Sequence, residues 1–251
     1  MRLYEIFFSP TGGTKKVSDI LSSVWNCEKV KIDLCDINTD FSEYEIGTED
    51  MCIISVPSYG GRVPITAAER IRLIRGNGAK ACIVCVYGNR AYEDTLIELK
   101  DCVEERGFNV ISSVAAVAEH SIMRKFAAGR PDDEDKNELI NFALKIKEKA
   151  ESGNIDSFNV PGNHTYKELK LIPMFPEPNK KCTLCGACRE KCPVNAIRED
   201  NSTDKNKCIS CMRCVSLCPI GARDFNKAVI SAMEIKKAKA FEGRKKNELF
   251  V

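Results

Sequence analysis

The chain reads as two units in series, a doubly wound α/β domain with a parallel sheet and a small α+β domain built around cysteine. Three observations predict this. Short apolar segments alternate with helix-length stretches through residues 1–150, the pattern of a parallel sheet with helices on both faces. Eight of the fourteen cysteines then crowd into two matched runs. Between the two regions, Gly153, Pro161, Gly162, Pro173, Pro176 and Pro178 mark a joint. The expected boundaries are an α/β domain over 1–152, a joint over 153–175, a cysteine-bearing domain over 176–226 and a basic C-terminal helix over 227–251.

In order, Leu3 to Phe8 is a first strand, followed by a helix from Gly13 to Trp25. Val30 to Leu34 is a second strand, and Met51 to Val56 a buried third that leads to a helix across Pro64 to Arg75. Ala81 to Tyr87 is a fourth strand, with a helix over Ala91 to Arg106. Val110 to Ala118 is a fifth, and Asp132 to Glu151 a last amphipathic helix whose first turn is rich in acids, where the helix dipole favours them. In such sheets ligands bind beyond the carboxyl ends of the strands, near the reversal of strand order. The loops after strands one, three and four are therefore where the ligand-binding chemistry is expected.

After strand one comes Ser9-Pro10-Thr11-Gly12-Gly13-Thr14-Lys15-Lys16. Small hydroxyl residues and glycines leading into a helix expose N–H groups and side-chain donors suited to a phosphate. A plain helix cap by Ser9 or Thr11 is the simpler alternative, but the loop holds more donors than a cap needs. The spacing is neither a Walker A loop nor a G-x-G-x-x-G fingerprint, and Gly76-Asn77-Gly78 precedes a strand and reads as a turn. After strand three comes Pro57-Ser58-Tyr59-Gly60-Gly61-Arg62-Val63-Pro64, and after strand four Tyr87-Gly88-Asn89-Arg90-Ala91-Tyr92-Glu93-Asp94. Each offers glycine for close backbone approach and an aromatic face, which suit a flat ring.

The cysteine runs are more specific. Cys182-x-x-Cys185-x-x-Cys188-x-x-x-Cys192-Pro193 is repeated as Cys208, Cys211, Cys214, Cys218 and Pro219. An offset of 26 residues superposes both sets, together with Lys181 on Lys207 and Ala196 on Ala222, an internal duplication. Three thiolates on a tight loop can hold three irons of a cubane, with the fourth ligand supplied by the other repeat. Cys182, Cys185, Cys188 and Cys218 are therefore assigned to one [4Fe–4S] cluster, and Cys208, Cys211, Cys214 and Cys192 to the other. Structural zinc is less suited, since it takes four ligands, commonly as two separated pairs. Disulfides are less suited too, because no signal peptide is recognisable and dense cysteine in a reducing compartment points to metal or redox use.

Residues 1–150 resemble a flavodoxin, and residues 176–225 resemble a bacterial two-cluster ferredoxin. The whole chain is similar to the flavodoxin–ferredoxin fusion proteins grouped as EFR-family ferredoxins, through its Gly-Gly-Arg-Val-Pro and Tyr-Gly-Asn-Arg loops. The resemblance implies FMN on a flavodoxin-like sheet of order 2-1-3-4-5. It implies Ser9, Thr11, Gly12, Gly13 and Thr14 on the phosphate, with Ser58, Tyr59, Gly60, Tyr87, Gly88 and Asn89 lining the ring. Arg62 and Arg90 beside that ring would suit an anionic flavin.

Charge divides unevenly, with 20 Lys/Arg against 24 Asp/Glu in residues 1–150 and 18 against 12 in residues 151–251. The basic excess does not call for nucleic acid, since each oxidised cluster with its four thiolates carries about −2. No apolar run approaches the ~20 residues that span a bilayer, and a cytoplasmic location is expected. Cys82 and Cys85 fall inside a strand and face opposite ways. Like Cys27, Cys35, Cys52 and Cys102, they read as small core residues. His120 and His164 are the only histidines; His120, after the fifth strand, reads first as a loop histidine without a catalytic role and second as a candidate proton donor. Lys236, Lys237, Lys239, Arg244, Lys245 and Lys246 read as a solvated helix face that could also dock an acidic electron donor. The joint's apolar residues Leu169, Leu171, Ile172, Met174 and Phe175 predict that it packs on a domain surface.

Two functions remain. One is an internal relay of single electrons between two clusters and FMN, served by a redox partner protein. The other is an FMN-dependent reductase of a small-molecule acceptor, with Arg62, Arg90, His120 and Arg130 framing an anion. A redox sensor lacks any recognisable DNA-binding or signalling module.

Overall fold

Five apolar runs between helices leave the chain one economical arrangement, and the computed structural model adopts it over its described residues 1–153, 158–170 and 174–251. The strands are β1 (Leu3–Phe7), β2 (Lys29–Asp33), β3 (Met51–Pro57), β4 (Lys80–Tyr87), β5 (Asn109–Val117), the short β6 (Glu177–Pro178) and β7 (Arg223–Asp224), and β8 (Glu248–Phe250). The helices are α1 (Gly13–Ser22), α2 (Ile65–Ile71), α3 (Thr95–Glu104), α4 (Asp133–Ser152), α5 (Ala187–Glu190), α6 (Arg213–Leu217) and α7 (Lys227–Lys237).

The main sheet runs β2-β1-β3-β4-β5-β8. Its first five strands are parallel, with Phe7 opposite both Asp33 and Ser55. Burial on both faces explains why β1, β3 and β4 are nearly unbroken in apolar character. One face packs Leu3, Ile53 and Val84 against Val17 and Leu21 of α1 and Leu139, Ala143 and Ile146 of α4. The other packs Ile6, Ile54 and Ile83 against Ala67 and Ile71 of α2 and Leu96, Leu99 and Cys102 of α3. Helix α4 starts with a reciprocal capping box between Asp132 and Asp135 and stops at Gly153, whose φ of 71° suits a glycine C-cap. Cys82 and Cys85 belong to opposite cores, and burial pushes the Cys82 thiol up to about 12.

The small domain displays the 26-residue duplication in its backbone. Leu184 and Ser210 both lie in the left-handed region, at φ 55° and 53°. So do Gly186 and Met212, at 79° and 62°, and Asn195 and Gly221, at 50° and 60°. Each repeat then starts a short helix, α5 or α6. The sulfurs of Cys192 and Cys218 accept from the N–H groups of Ala196 at 3.2 Å and Ala222 at 3.1 Å. Both alanines are buried, at 1% exposure. Arg223 of β7 is a buried centre of the domain, donating to Pro176 O at 2.7 Å and also to Asn201 O and Thr203 Oγ1.

The joint lies against the first domain where it is described. Val160 enters a core, with Phe158 and Tyr166 packed beside it. Asp94 accepts from Asn163 N at 3.0 Å and Lys167 N at 2.8 Å. Met174 joins Met123, Met212, Ile230 and Phe241 in an apolar cluster shared by the joint, the loop after β5, the cysteine domain and the C-terminal segment. Leu171, Ile172 and Pro173 lie outside the described residues.

The basic helix expected over 227–251 is shorter. It ends at Lys237, a 3₁₀ turn covers Ala238–Phe241, and the chain reverses through Gly243 at φ 73°. Residues Glu248–Phe250 then pair antiparallel with β5, placing Phe250 opposite Ser113. The segment stays non-helical because buried polar groups hold it extended. Asn247 Oδ1 accepts from Val117 N at 2.9 Å, and Arg130 Nη1 donates to Lys245 O at 2.8 Å. Among the described residues no helix is long and apolar enough to cross a membrane.

Candidate functional site

A crevice of about 450 Å³ opens at the carboxyl ends of β1, β3 and β4, the size range of cofactor pockets. Strand order reverses here, since β1 sends its chain outward to β2 while β3 to β5 lie on its other side.

Pro10, Thr11, Gly13 and Thr14 line one end. Helix α1 begins there, with Gly12 at φ 93° turning the chain into it, so free N–H groups and the positive helix end face the crevice. Ser9 serves differently from expectation, because its Oγ accepts from Lys15 N at 2.8 Å and thereby caps the first turn. The hydroxyl is buried and does not line the crevice.

Ser58, Tyr59, Gly60, Tyr87 and Gly88 line the middle. The turn after β3 is closed by paired backbone bonds between Tyr59 and Arg62 at 3.0 and 3.2 Å. Gly60 and Gly61 supply its positive φ values of 62° and 86°. Gly88 is required by space, since a Cβ would lie 2.7 Å from the His120 ring. Asn89 departs from expectation: its buried carboxamide turns away from the crevice and binds Phe241 O and Gly243 O. Its left-handed backbone, φ 65°, aims the side chain that way.

The arginines separate. Arg90 lines the crevice and pairs with Glu93 at 2.9 and 3.1 Å. Arg62 does not line it, because Glu98 of α3 holds its guanidinium at 2.7 and 2.8 Å. Arg130 is buried against Asp135, with Nε to Oδ2 at 2.8 Å. The frame of four cationic or proton-bearing groups expected over the ring therefore reduces to Arg90 and His120.

His120 Nδ1 accepts from the N–H groups of Ile122 and Met123, both at 3.1 Å, which leaves the proton on Nε2. Burial, then the nearby Lys237, pushes its pKa down to about 4, so the ring is a neutral donor at physiological pH. His164 lies elsewhere, 2.9 Å from Asp101.

The roof was not legible from the loops after the strands. Lys237, Ala240 and Phe241 of the C-terminal segment form part of it, with Phe241 edge-on to His120 at 5.4 Å between centroids. Lys167 and Lys170 of the joint form another part, and Ile209 and Ser210 of the second cysteine loop a third. One signal could have found the cysteine loop. Thr183 and Gly186 of the first repeat become Ile209 and Met212 in the second, an apolar exchange that marks a covered surface.

Cys192, Cys208, Cys211 and Cys214 line a single small cavity within the second domain. Cys192 comes from the first repeat and the other three from the second. Burial pushes the Cys211 and Cys214 thiols up to about 12 and about 11, so thiolates there require a cationic centre to bind. Cys188 lies near Cys182 and Cys185, whose charges add to the rise that burial causes in its thiol. Cys182 accepts from Asn201 Nδ2 at 3.5 Å. The donor set, all sulfur and supported by N–H groups, fits iron–sulfur centres. The α1 N-terminus and the glycine-bordered crevice fit a phosphate-bearing planar cofactor.

The two domains meet here. Arg213 of α6 approaches Ser9 O at 3.4 Å and Asp33 at 3.6 Å, and Arg70 of α2 donates to Pro193 O at 2.6 Å. Residues 179–198 and 202–224 both match the 4Fe-4S binding domain family. The chain is a flavodoxin-like domain joined to a ferredoxin-like domain. Among solved structures, the first domain of this fusion is similar to flavodoxin 1 of Bacillus cereus at 20% identity, covering 59% of this chain and 98% of that one at a TM-score of 0.41. A Fusobacterium nucleatum flavodoxin bound to flavin mononucleotide is 13% identical, with 59% of this chain and 98% of that one covered at 0.39. Rubredoxin oxygen:oxidoreductase of Desulfovibrio gigas is 12% identical, with 60% and 36% covered at 0.45. No curated protein matches the fusion.

Proposed function

We propose that the fusion relays single electrons between two [4Fe–4S] clusters and FMN, in the cytoplasm, with a separate redox protein as donor or acceptor. The observation that carries this reading is that Ile209 and Ser210, between ligands Cys208 and Cys211, are a wall of the crevice. In this reading Cys208, Cys211, Cys214 and Cys192 hold the inner cluster, and Cys182, Cys185, Cys188 and Cys218 the outer one. When bound, each cluster would exchange one electron at a time and FMN up to two. Thr11, Gly12, Gly13 and Thr14 would hold the phosphate, and Ser58, Tyr59, Gly60, Tyr87 and Gly88 the ring. Arg213, Arg70 and the Met174 cluster fix the domains against each other, which keeps the electron path short. We retain the boundaries 1–152, 153–175 and 176–226, with 227–251 as a roof segment.

The roof supports a second reading, a reductase. A free carrier presents an open ring edge to its partner, whereas Phe241, Ile209 and the joint cover this crevice. A small acceptor would then bind beside Arg90, Lys237 and the Nε2–H of His120. Anaerobic purification with iron, sulfide and flavin counted per chain tests the relay. Two cubanes and one flavin require about eight iron, eight sulfide and one FMN. A redox titration in which cluster reduction leaves the flavin oxidised would refute it. Turnover of small acceptors by the reduced protein, lost in Arg90→Ala, would select the reductase.

A further inference from the structure

The two copies of the cysteine loop have the same shape and opposite surroundings. In the second copy Ile209 and Ser210 abut the crevice, and Ser210 and Met212 are buried. In the first, Lys180, Lys181, Thr183, Leu184 and Cys185 are all exposed. Leu184 is the equivalent of Ser210, yet it is 63% exposed, at a left-handed φ of 55°. A bulky side chain in that backbone region is costly, and exposing it gains nothing within the chain. Beside Cys218, assigned to the same cluster as Cys185, Leu217 and Ile220 are also exposed, at 40% and 46%. Lys180 and Lys181 join no ion pair among the described residues.

We propose that this face, centred on Leu184 and bordered by Lys180 and Lys181, docks an acidic one-electron carrier protein at the outer cluster. The inference rests on the relay reading. The second loop meets the flavodoxin-like domain through the surface that the first loop leaves bare, so the repeat presents one electron-transfer surface inward and one outward. An apolar centre with a charged rim suits a small, transient redox encounter. The unpaired lysines would steer an acidic partner and raise its association rate at low salt. One electron leaves the carrier and enters the outer cluster; no bond is made and no proton is needed.

The test is anaerobic stopped-flow reduction of the holoprotein by a reduced acidic two-cluster ferredoxin, with methyl viologen radical cation as a second reductant. Lys180→Glu/Lys181→Glu should slow reduction by the ferredoxin about tenfold at low salt and flatten its salt dependence. Viologen reduction should not slow. Leu184→Ser, which copies the second repeat, should slow the ferredoxin several-fold at unchanged iron content. Unchanged ferredoxin rates in both variants would overturn the proposal. So would an equal loss in Lys236→Glu/Lys239→Glu, which would move docking to the C-terminal segment. The relay itself fails separately, if viologen-reduced clusters in the unsubstituted protein leave the flavin oxidised.

Discussion

Asn89 donates its side-chain amide to the carbonyl oxygen of Phe241 at 2.7 Å, fastening the turn after β4 to the segment that roofs the crevice. The same nitrogen reaches Gly243 O at 2.8 Å, and its Oδ1 accepts from Lys245 N at 3.2 Å. Asn89→Gly keeps the left-handed backbone and removes all three bonds. It should destabilise the fold by about 1–3 kcal/mol and speed flavin release several-fold. Urea unfolding and flavin fluorescence after dilution measure the two effects.

His120 gives the stability a defined pH dependence. Its pKa is about 4 in the fold, against roughly 6.5 when unfolded. The neutral ring therefore contributes stability that is complete above the unfolded value and is lost as pH falls from 6.5 through 4. The difference is on the order of 2–3 kcal/mol. Unfolding free energies at pH 7 and 4.5 should diverge less in His120→Gln than in the unsubstituted protein. Equal divergence would mean the ring is not held neutral.

The ligand crossover separates two cysteine variants. Cys192→Ala should remove the inner cluster, leave about four irons per chain and stop electrons reaching the flavin. Cys218→Ala should remove the outer cluster and leave transfer from the inner one intact. Iron content and EPR of the reduced proteins, followed by flavin absorbance, distinguish the two patterns. The reverse pattern would reassign the sets.

Glu5 sits on β1 with no exposed surface, 3.8 Å from Lys31. Burial raises its carboxyl pKa, with Lys31 offsetting part of the rise. A raised carboxyl favours folding below the unfolded pKa, and that benefit is lost as pH rises through the folded value. Glu5→Gln should accordingly stabilise the protein at pH 7 by about 1–2 kcal/mol, and the gain should shrink toward pH 4. Denaturant midpoints at the two pH values decide it.

The parts legible in the sequence were those whose cause is local. Met51 to Val56 could only be a covered strand, and the spacing from Cys182 to Pro193 is short enough to define a loop by itself. Gly13 and Thr14 begin a helix because of their immediate neighbours. What escaped depended on residues distant in the chain. Arg62 was expected over the ring, but Glu98 sits one helix away and takes it. Asn89 was expected beside the ring, but its partners lie beyond residue 240. Glu248–Phe250 is three residues long among lysines, too short for periodicity to mark as a strand.

β8 follows the segment that roofs the crevice, and it has a consequence of its own. By pairing with β5 over Ser113–Ala115 it makes the strand at that border only three residues long, a short edge on which another polypeptide gains little by adding itself. The opposite border, β2, carries the exposed Lys29 and Lys31, whose charges discourage a second molecule from aligning there. Both borders of the sheet are thus guarded against zipping onto a second copy of the chain.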